Sequence, residues 1–287
     1  MIKIAIASGK GGTGKTFVST NLFRSAELRK LNVLLIDCDA EEPNVNEFLN
    51  GTVIEKTNVV HNIPRIDVEQ CIFCGNCRDY CNYNAIVMIA SANYIKVMDD
   101  LCRACGACSI ACQYEAISTA PQPIGACTTF TFDGNAKIIE ARAEVGLYSP
   151  VPIIRKALNL INNEELVLLD SPPGISCPFL ATVESADFVV LVTEPTPFGL
   201  NDLKLSVETL QTKNIAHGVV VNRAGLGNGD VYKWLSENKI PLLAEIPFDK
   251  EIAKTYSIGK LVYDNLNNYK DLFDELLDNI IKTTANE

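Results

Sequence analysis

Positive charge is scarce in this chain. Twenty-five Lys and Arg against 35 Asp and Glu leave a formal net charge of −10. A basic face, which binding to nucleic acid normally needs, is not supplied. Adsorption to an anionic membrane surface is disfavoured for the same reason. Long apolar runs are also missing: none approaches the ~20 residues that span a bilayer. Residues 1–7 (MIKIAIA) are too short an apolar run for a signal peptide, no small-residue cleavage site follows them, and they lead straight into a glycine-rich loop. The expectation is a cytoplasmic protein with no nucleic-acid partner and no stable membrane insertion.

What is present is a chain able to bury a core, 47% hydrophobic and 21% charged, whose 287 residues suggest two domains. Short apolar runs recur at residues 2–7, Val33–Asp37, Leu166–Asp170, Phe188–Thr193, Gly218–Asn222 and Leu242–Ile246. Helix-like stretches separate most of them: Lys15 to about Leu31, Pro152–Asn162, Gly199–Lys213, Asp230–Asn238 and the acidic amphipathic tail Tyr269–Thr283. That alternation predicts an α/β fold, a doubly wound, mostly parallel sheet with helices on both faces. From about Pro64 to Ala120 the apolar runs stop and cysteine density peaks. The expected organisation is therefore a host domain of residues 1–63 and 121–287 with a small α+β domain, 64–120, inserted in a surface loop. Cys127–Phe132 and Lys137–Val145 resemble a hairpin turned by Asp133-Gly134-Asn135.

Two motifs carry chemistry. The first is Gly9-Lys10-Gly11-Gly12-Thr13-Gly14-Lys15-Thr16, which follows a strand and opens a helix. Glycines there let backbone N–H groups turn toward phosphate oxygens, Lys15 reaches the β/γ-phosphates, and the Thr16 hydroxyl takes a Mg²⁺ position. The second is a cysteine repeat. Cys71, Cys74, Cys77 and Cys81 are spaced x2, x2, x3, and Cys102, Cys105, Cys108 and Cys112 repeat that spacing 31 residues later. Residues 71–86 and 102–117 share eight of sixteen positions: the four cysteines plus Gly75/Gly106, Tyr83/Tyr114, Ala85/Ala116 and Ile86/Ile117. Eleven cysteines in a reducing compartment point to metal rather than disulfides. Thiolates at this spacing suit iron–sulfur clusters, and zinc is the rival.

The lysine pair in Lys10-Gly-Gly-Thr-Gly-Lys15-Thr16 resembles the deviant Walker A loop of the MinD/ParA/Mrp and nitrogenase iron protein superfamily of P-loop ATPases. The cysteine runs resemble an inserted ferredoxin with two [4Fe–4S] clusters. The resemblance implies ATP or ADP with Mg²⁺, and catalytic roles for Lys10, Lys15 and Asp39. Lys10 would reach the partner's phosphates across a nucleotide-bridged dimer, with itself or with a related ATPase. Asp37, at the end of the second strand, would lie near the Mg²⁺ waters, Asp39 would orient the attacking water, and Asp170 in Asp170-Ser-Pro-Pro-Gly would be the Walker B aspartate. Asn222-Arg223 and Ile246-Pro247 would contact adenine. In such ferredoxins the fourth cysteine of each run ligates the other cluster. That assigns Cys71, Cys74, Cys77 and Cys112 to one cluster, and Cys102, Cys105, Cys108 and Cys81 to the other. Asn82 and Gln113 stand where ferredoxins usually carry proline after the fourth cysteine. Cys177, seven residues past Asp170, matches a cluster-bridging cysteine of the nitrogenase iron protein, which implies a third cluster there.

The expected function is an ATP-hydrolysing iron–sulfur protein in cluster or metallocofactor assembly, with a redox or cluster-acceptor protein as partner. ATP-gated electron transfer and MinD-like spatial organisation are the alternatives. An amidoligase, like the cobyrinic acid a,c-diamide synthases, would need a glutaminase domain for which this chain has no room.

Overall fold

The continuous apolar runs become the middle of one large sheet, because a strand covered on both faces can be apolar throughout. The computed structural model describes residues 1–133 and 136–285. Its strands are β1 (Ile2–Ala7), β2 (Val33–Asp37), β3 (Thr52–Ile66), β4 (Ile86–Ile89), β5 (Tyr94–Val97), β6 (Ile117–Phe132), β7 (Ala136–Ala143), β8 (Leu166–Asp170), β9 (Phe188–Thr193), β10 (His217–Ala224) and β11 (Leu242–Pro247). The sheet order is β11-β10-β9-β1-β8-β2-β7-β6-β3, and the pairings from β11 through to β7 are parallel. β6 and β7 are neighbours, as the expected hairpin requires. Gly134 and Asn135 of its turn lie outside the described residues.

Alternate residues of each central strand serve opposite faces. Ile4, Ile6, Leu35, Leu168 and Val190 pack with Phe17, Val18 and Leu22 of the helix Lys15–Leu28 and with Phe273, Leu276 and Ile280 of the helix Lys270–Ala285. Their neighbours Ala5, Leu34, Leu169 and Val189 are equally buried. The helices Cys177–Val183 and Pro197–Thr212 lie against β1 and β9. The first helix stops at Leu28, short of Leu31, because Lys30 takes a left-handed φ of 62° that ends an α-helix.

The chain divides into two compact units: Met1–Thr57, Cys127–Arg142 and Val151–Glu287 form one, Asn58–Ala126 and Ala143–Pro150 the other. This differs from the boundaries at 64 and 120 expected from sequence. β3 is a strand that apolar runs did not reveal, because of its fifteen residues only Val59, Ile63 and Pro64 are buried. Ala143–Pro150 joins the second unit through contacts far along the chain: Glu144 N–H donates to Ile124 O at 2.9 Å, and the Arg103 guanidinium lies 3.4 Å from the ring centre of Tyr148.

Within the second unit the sequence repeat becomes a repeat of shape. Phe73 and Ala104 (φ 56° and 50°), Gly75 and Gly106 (88° and 77°), and Asn84 and Glu115 (51° and 53°) are three left-handed pairs, each 31 residues apart. Gly75 and Gly106 cap the short helices Asn76–Asp79 and Ala107–Ala111. Two hydrogen bonds tie the halves reciprocally: Met98 N–H donates to Ala85 O at 2.7 Å, and Asp67 N–H to Ala116 O at 2.8 Å. Adding 31 to Asp67 and Ala85 gives Met98 and Ala116, so each half uses the same positions on the other, as a local two-fold requires.

Candidate functional site

In the larger unit, β1 runs into the glycine loop, and the helix Lys15–Leu28 begins where the loop ends. The site lies outside the carboxyl ends of parallel strands, where open α/β sheets bind ligands. Gly14 has φ 103°, and a Cβ on it would come within 2.4 Å of Asn222 Nδ2, so only glycine fits. Lys15 is buried at 8% exposure. Thr16 Oγ1 donates to Asp170 Oδ2 at 2.7 Å. Register places Asp37 beside Asp170 on the adjacent strand.

These carboxylates are buried and close together. Burial pushes Asp170 up to about 6, while Lys15 and the Thr16 hydroxyl oppose it. Burial, then the neighbouring Asp170 charge, raises Asp37 strongly, against backbone donors that favour its charged form. Burial raises half-buried Asp39, and Lys15 pulls it back. Lys15 thus bears on both Asp39 and Asp170. Two buried atoms at this site have no hydrogen-bond partner: Asp170 Oδ1 and Thr13 Oγ1. Asp170, with Oδ1 unpartnered and Oδ2 accepting from the Thr16 hydroxyl, forms with that hydroxyl a hard donor set suited to Mg²⁺, and a glycine loop ahead of a helix suits phosphate. The residues fit a Mg²⁺-nucleotide.

Asp37 sits differently from the other acids. Its Oδ2 accepts from Asn44 N–H at 2.8 Å and Val45 N–H at 3.0 Å, and its Oδ1 from Asp39 N–H at 3.1 Å. It fixes the turn that presents Asp39. The loop after Asp170 is tied to the glycine loop, with Gly174 N–H donating to Ser8 O at 3.1 Å.

In the second unit, Cys71, Cys74, Cys77 and Cys112 line one pocket with the apolar Ile66, Phe73 and Ile95. Phe73 N–H donates to Cys71 Sγ at 3.4 Å, its repeat partner Ala104 N–H to Cys102 Sγ at 3.4 Å, and Ala85 N–H to Cys81 Sγ at 3.3 Å. Burial raises the Cys77 and Cys108 thiols. Among the described residues, no three His, Cys, Asp or Glu side chains converge tightly enough for a single metal ion.

Residues 4–262 match the model of the CbiA family, the CobQ/CobB/MinD/ParA nucleotide-binding domain. The chain belongs to that family. It is 31% identical to the uncharacterized protein MJ0578 of Methanocaldococcus jannaschii over 98% of this chain and 96% of that one. It is 26% identical to an iron–sulfur cluster carrier protein of Methanococcus maripaludis over 86% of this chain and 73% of the carrier. Among solved structures, the septum site-determining protein MinD of Pyrococcus horikoshii OT3, complexed with Mg-ADP, shares its fold with a TM-score of 0.60 and 22% identity, covering 98% of this chain and 96% of that one. The chain therefore has a MinD-like fold with a nucleotide-binding domain, and no helix among its described residues is long and apolar enough to cross a membrane.

Two of the expected nucleotide-contacting positions have a defined place in the fold. Asn222 is buried and donates through Nδ2 to Thr13 O at 2.7 Å, bracing the glycine loop. Pro247 ends β11, exposed, in register with Ala224. Cys177 is exposed at the start of its helix, and Cys38 is fully buried. Lys10 Nζ lies 3.3 Å from Glu194 Oε2, a residue that the motifs passed over. The available signal was an acid directly following the buried run Phe188–Thr193.

Proposed function

We propose that this protein binds and hydrolyses ATP as a nucleotide-dependent dimer and holds two [4Fe–4S] clusters for cluster or metallocofactor assembly. The observation that carries this reading is the joining, in one chain, of a glycine loop with Thr16 held on Asp170 to a pocket lined by Cys71, Cys74, Cys77 and Cys112. That quartet is the set that cross-ligation implies, three cysteines of one run with the fourth of the other. One zinc ion would need its thiolates to converge on a single point, so cysteines spread around a pocket, with backbone N–H groups donating to sulfur, favour a cluster over one zinc ion. The similarity to a cluster carrier supports the assembly role.

With a nucleotide bound, Lys15 would neutralise phosphate charge, Thr16 and Asp170 would hold Mg²⁺, and Asp39, presented by the turn that Asp37 fixes, would orient the attacking water. Bound Mg²⁺ supplies further charge neutralisation on the phosphates. Cys102, Cys105, Cys108 and Cys81 would hold the second cluster, and Cys177 a third at a dimer interface. A second reading, ATP-gated electron transfer, is favoured by the burial of Cys77 and Cys108, which suits clusters that are kept.

The test is anaerobic purification with iron and sulfide analysis, then incubation with an apo-acceptor with and without MgATP. About eight iron and eight sulfide per chain, with the acceptor gaining cluster faster in MgATP, is the result expected for two cubane clusters. Clusters that stay while their potential moves with MgATP would select electron transfer. Zinc without sulfide would overturn both.

A further inference from the structure

The carboxyl ends of β10, β9 and β1, neighbours in the sheet, surround a carboxylate that neither motif contains. Glu194 follows β9 and is 8% exposed. Its Oε2 lies 3.3 Å from Lys10 Nζ, and its Oε1 accepts from Arg223 Nη1 at 2.5 Å. Its backbone is held on both sides. Thr196 N–H donates to Glu194 O at 2.8 Å, and Asn228 N–H donates to Pro195 O at 3.3 Å. A Cβ on Gly199 would come within 2.3 Å of Glu194 O, so the following helix is pressed against this segment. The carboxylate is thus fixed, and it is the cations that must move.

The two cations are unequal. Arg223 belongs to β10 and extends from a backbone at φ 55°, a left-handed conformation that only its surroundings can hold. Lys10 lies in the loop that faces phosphate. A nucleotide's phosphates and Glu194 therefore compete for the same ammonium group. A buried carboxylate abandoned by every cation is costly, but Arg223 stays behind, so Lys10 can leave without stranding that charge.

We propose that Glu194 is a latch on Lys10. It holds the lysine against its own chain until phosphate draws it away, and Arg223 sets the strength of the hold by sharing the carboxylate. The latch rests on the reading that Lys10 acts in a nucleotide-bridged dimer, and it adds a residue that determines when the lysine becomes available.

Two variants have opposite expected signs. Glu194→Gln removes the charge that holds Lys10. Arg223→Gln leaves Glu194 to Lys10 alone and tightens the hold. Sedimentation velocity of the full chain at saturating non-hydrolysable MgATP analogue should place the dimer midpoint about tenfold lower in protein concentration for Glu194→Gln and about tenfold higher for Arg223→Gln. A residue that only props its turn would move both the same way, and that result overturns the latch. Acylation of Lys10, followed by mass spectrometry on the nucleotide-free protein, needs no dimer. It should be several-fold faster in Glu194→Gln and slower in Arg223→Gln. Unchanged Lys10 labelling in Glu194→Gln overturns the latch even if the wild type dimerises normally. A wild type that stays monomeric with the analogue sinks the dimer reading itself, and with it the latch's role in dimerisation.

Discussion

Replacing Asp170 by Asn should stabilise the nucleotide-free protein near neutral pH. Asp170 is 1% exposed, and burial lifts its carboxyl from 3.8 to about 6. A group that binds its proton more tightly when folded contributes stability while protonated and loses it as pH rises. The loss begins near the unfolded value of 3.8 and is complete above about 6. At 1.36 kcal/mol per pH unit, the ionised carboxylate costs the folded chain about 3 kcal/mol at pH 7 to 8. Asparagine is uncharged, keeps a carbonyl oxygen for the Thr16 hydroxyl that now donates to Asp170 Oδ2, and should recover most of that cost. For a chain of this size the gain corresponds to roughly 6–12 °C in Tm. The assay is thermal unfolding of nucleotide-free wild type and Asp170→Asn from pH 4 to 8. The curves should meet near pH 4 and separate through pH 6. With MgATP the order should invert, because the Mg²⁺ site proposed at Thr16 and Asp170 uses the carboxylate that asparagine lacks. An Asp170→Asn protein that is less stable than wild type at pH 8 without nucleotide would refute the reasoning.

Other outcomes are equally open to measurement. Cys112→Ser should remove the same cluster, by EPR, as Cys71→Ser, and Cys81→Ser the same as Cys102→Ser; loss paired within each run would refute the crossed assignment. Asn222→Ala removes the donor to Thr13 O and leaves a buried carbonyl unpaired, at about 1–3 kcal/mol by urea unfolding, with weaker ATP binding by calorimetry. Gly14→Ala forces a Cβ to within 2.4 Å of Asn222 Nδ2 at φ 103° and should weaken ATP binding further; equal binding in Gly14→Ala and wild type would show that Asn222 does not brace the loop.

The host sheet was legible because strands buried on both faces announce themselves as continuous apolar runs. Val33–Asp37, Leu166–Asp170 and Phe188–Thr193 lie where those runs put them. The glycine loop was legible because its chemistry is local: eight consecutive residues carry the backbone donors, the lysines and the hydroxyl. β3 was not, since a mostly exposed strand shows no such run. The second unit's extent was not legible either, because Ala143–Pro150 joins it through Tyr148 and Glu144 rather than through chain proximity.

The sequence by itself determined the parallel core, the nucleotide loop and the existence of two equivalent cysteine runs, since each is written in short-range pattern. The resemblance already grouped Cys112 with Cys71, Cys74 and Cys77, and the structure puts all four around one pocket. Only the tertiary structure decided that Asn222 braces the glycine loop and that Glu194 meets Lys10. Those pairings join residues about 180 to 210 positions apart, and nothing local to either partner encodes the other. Sheet order brings them together.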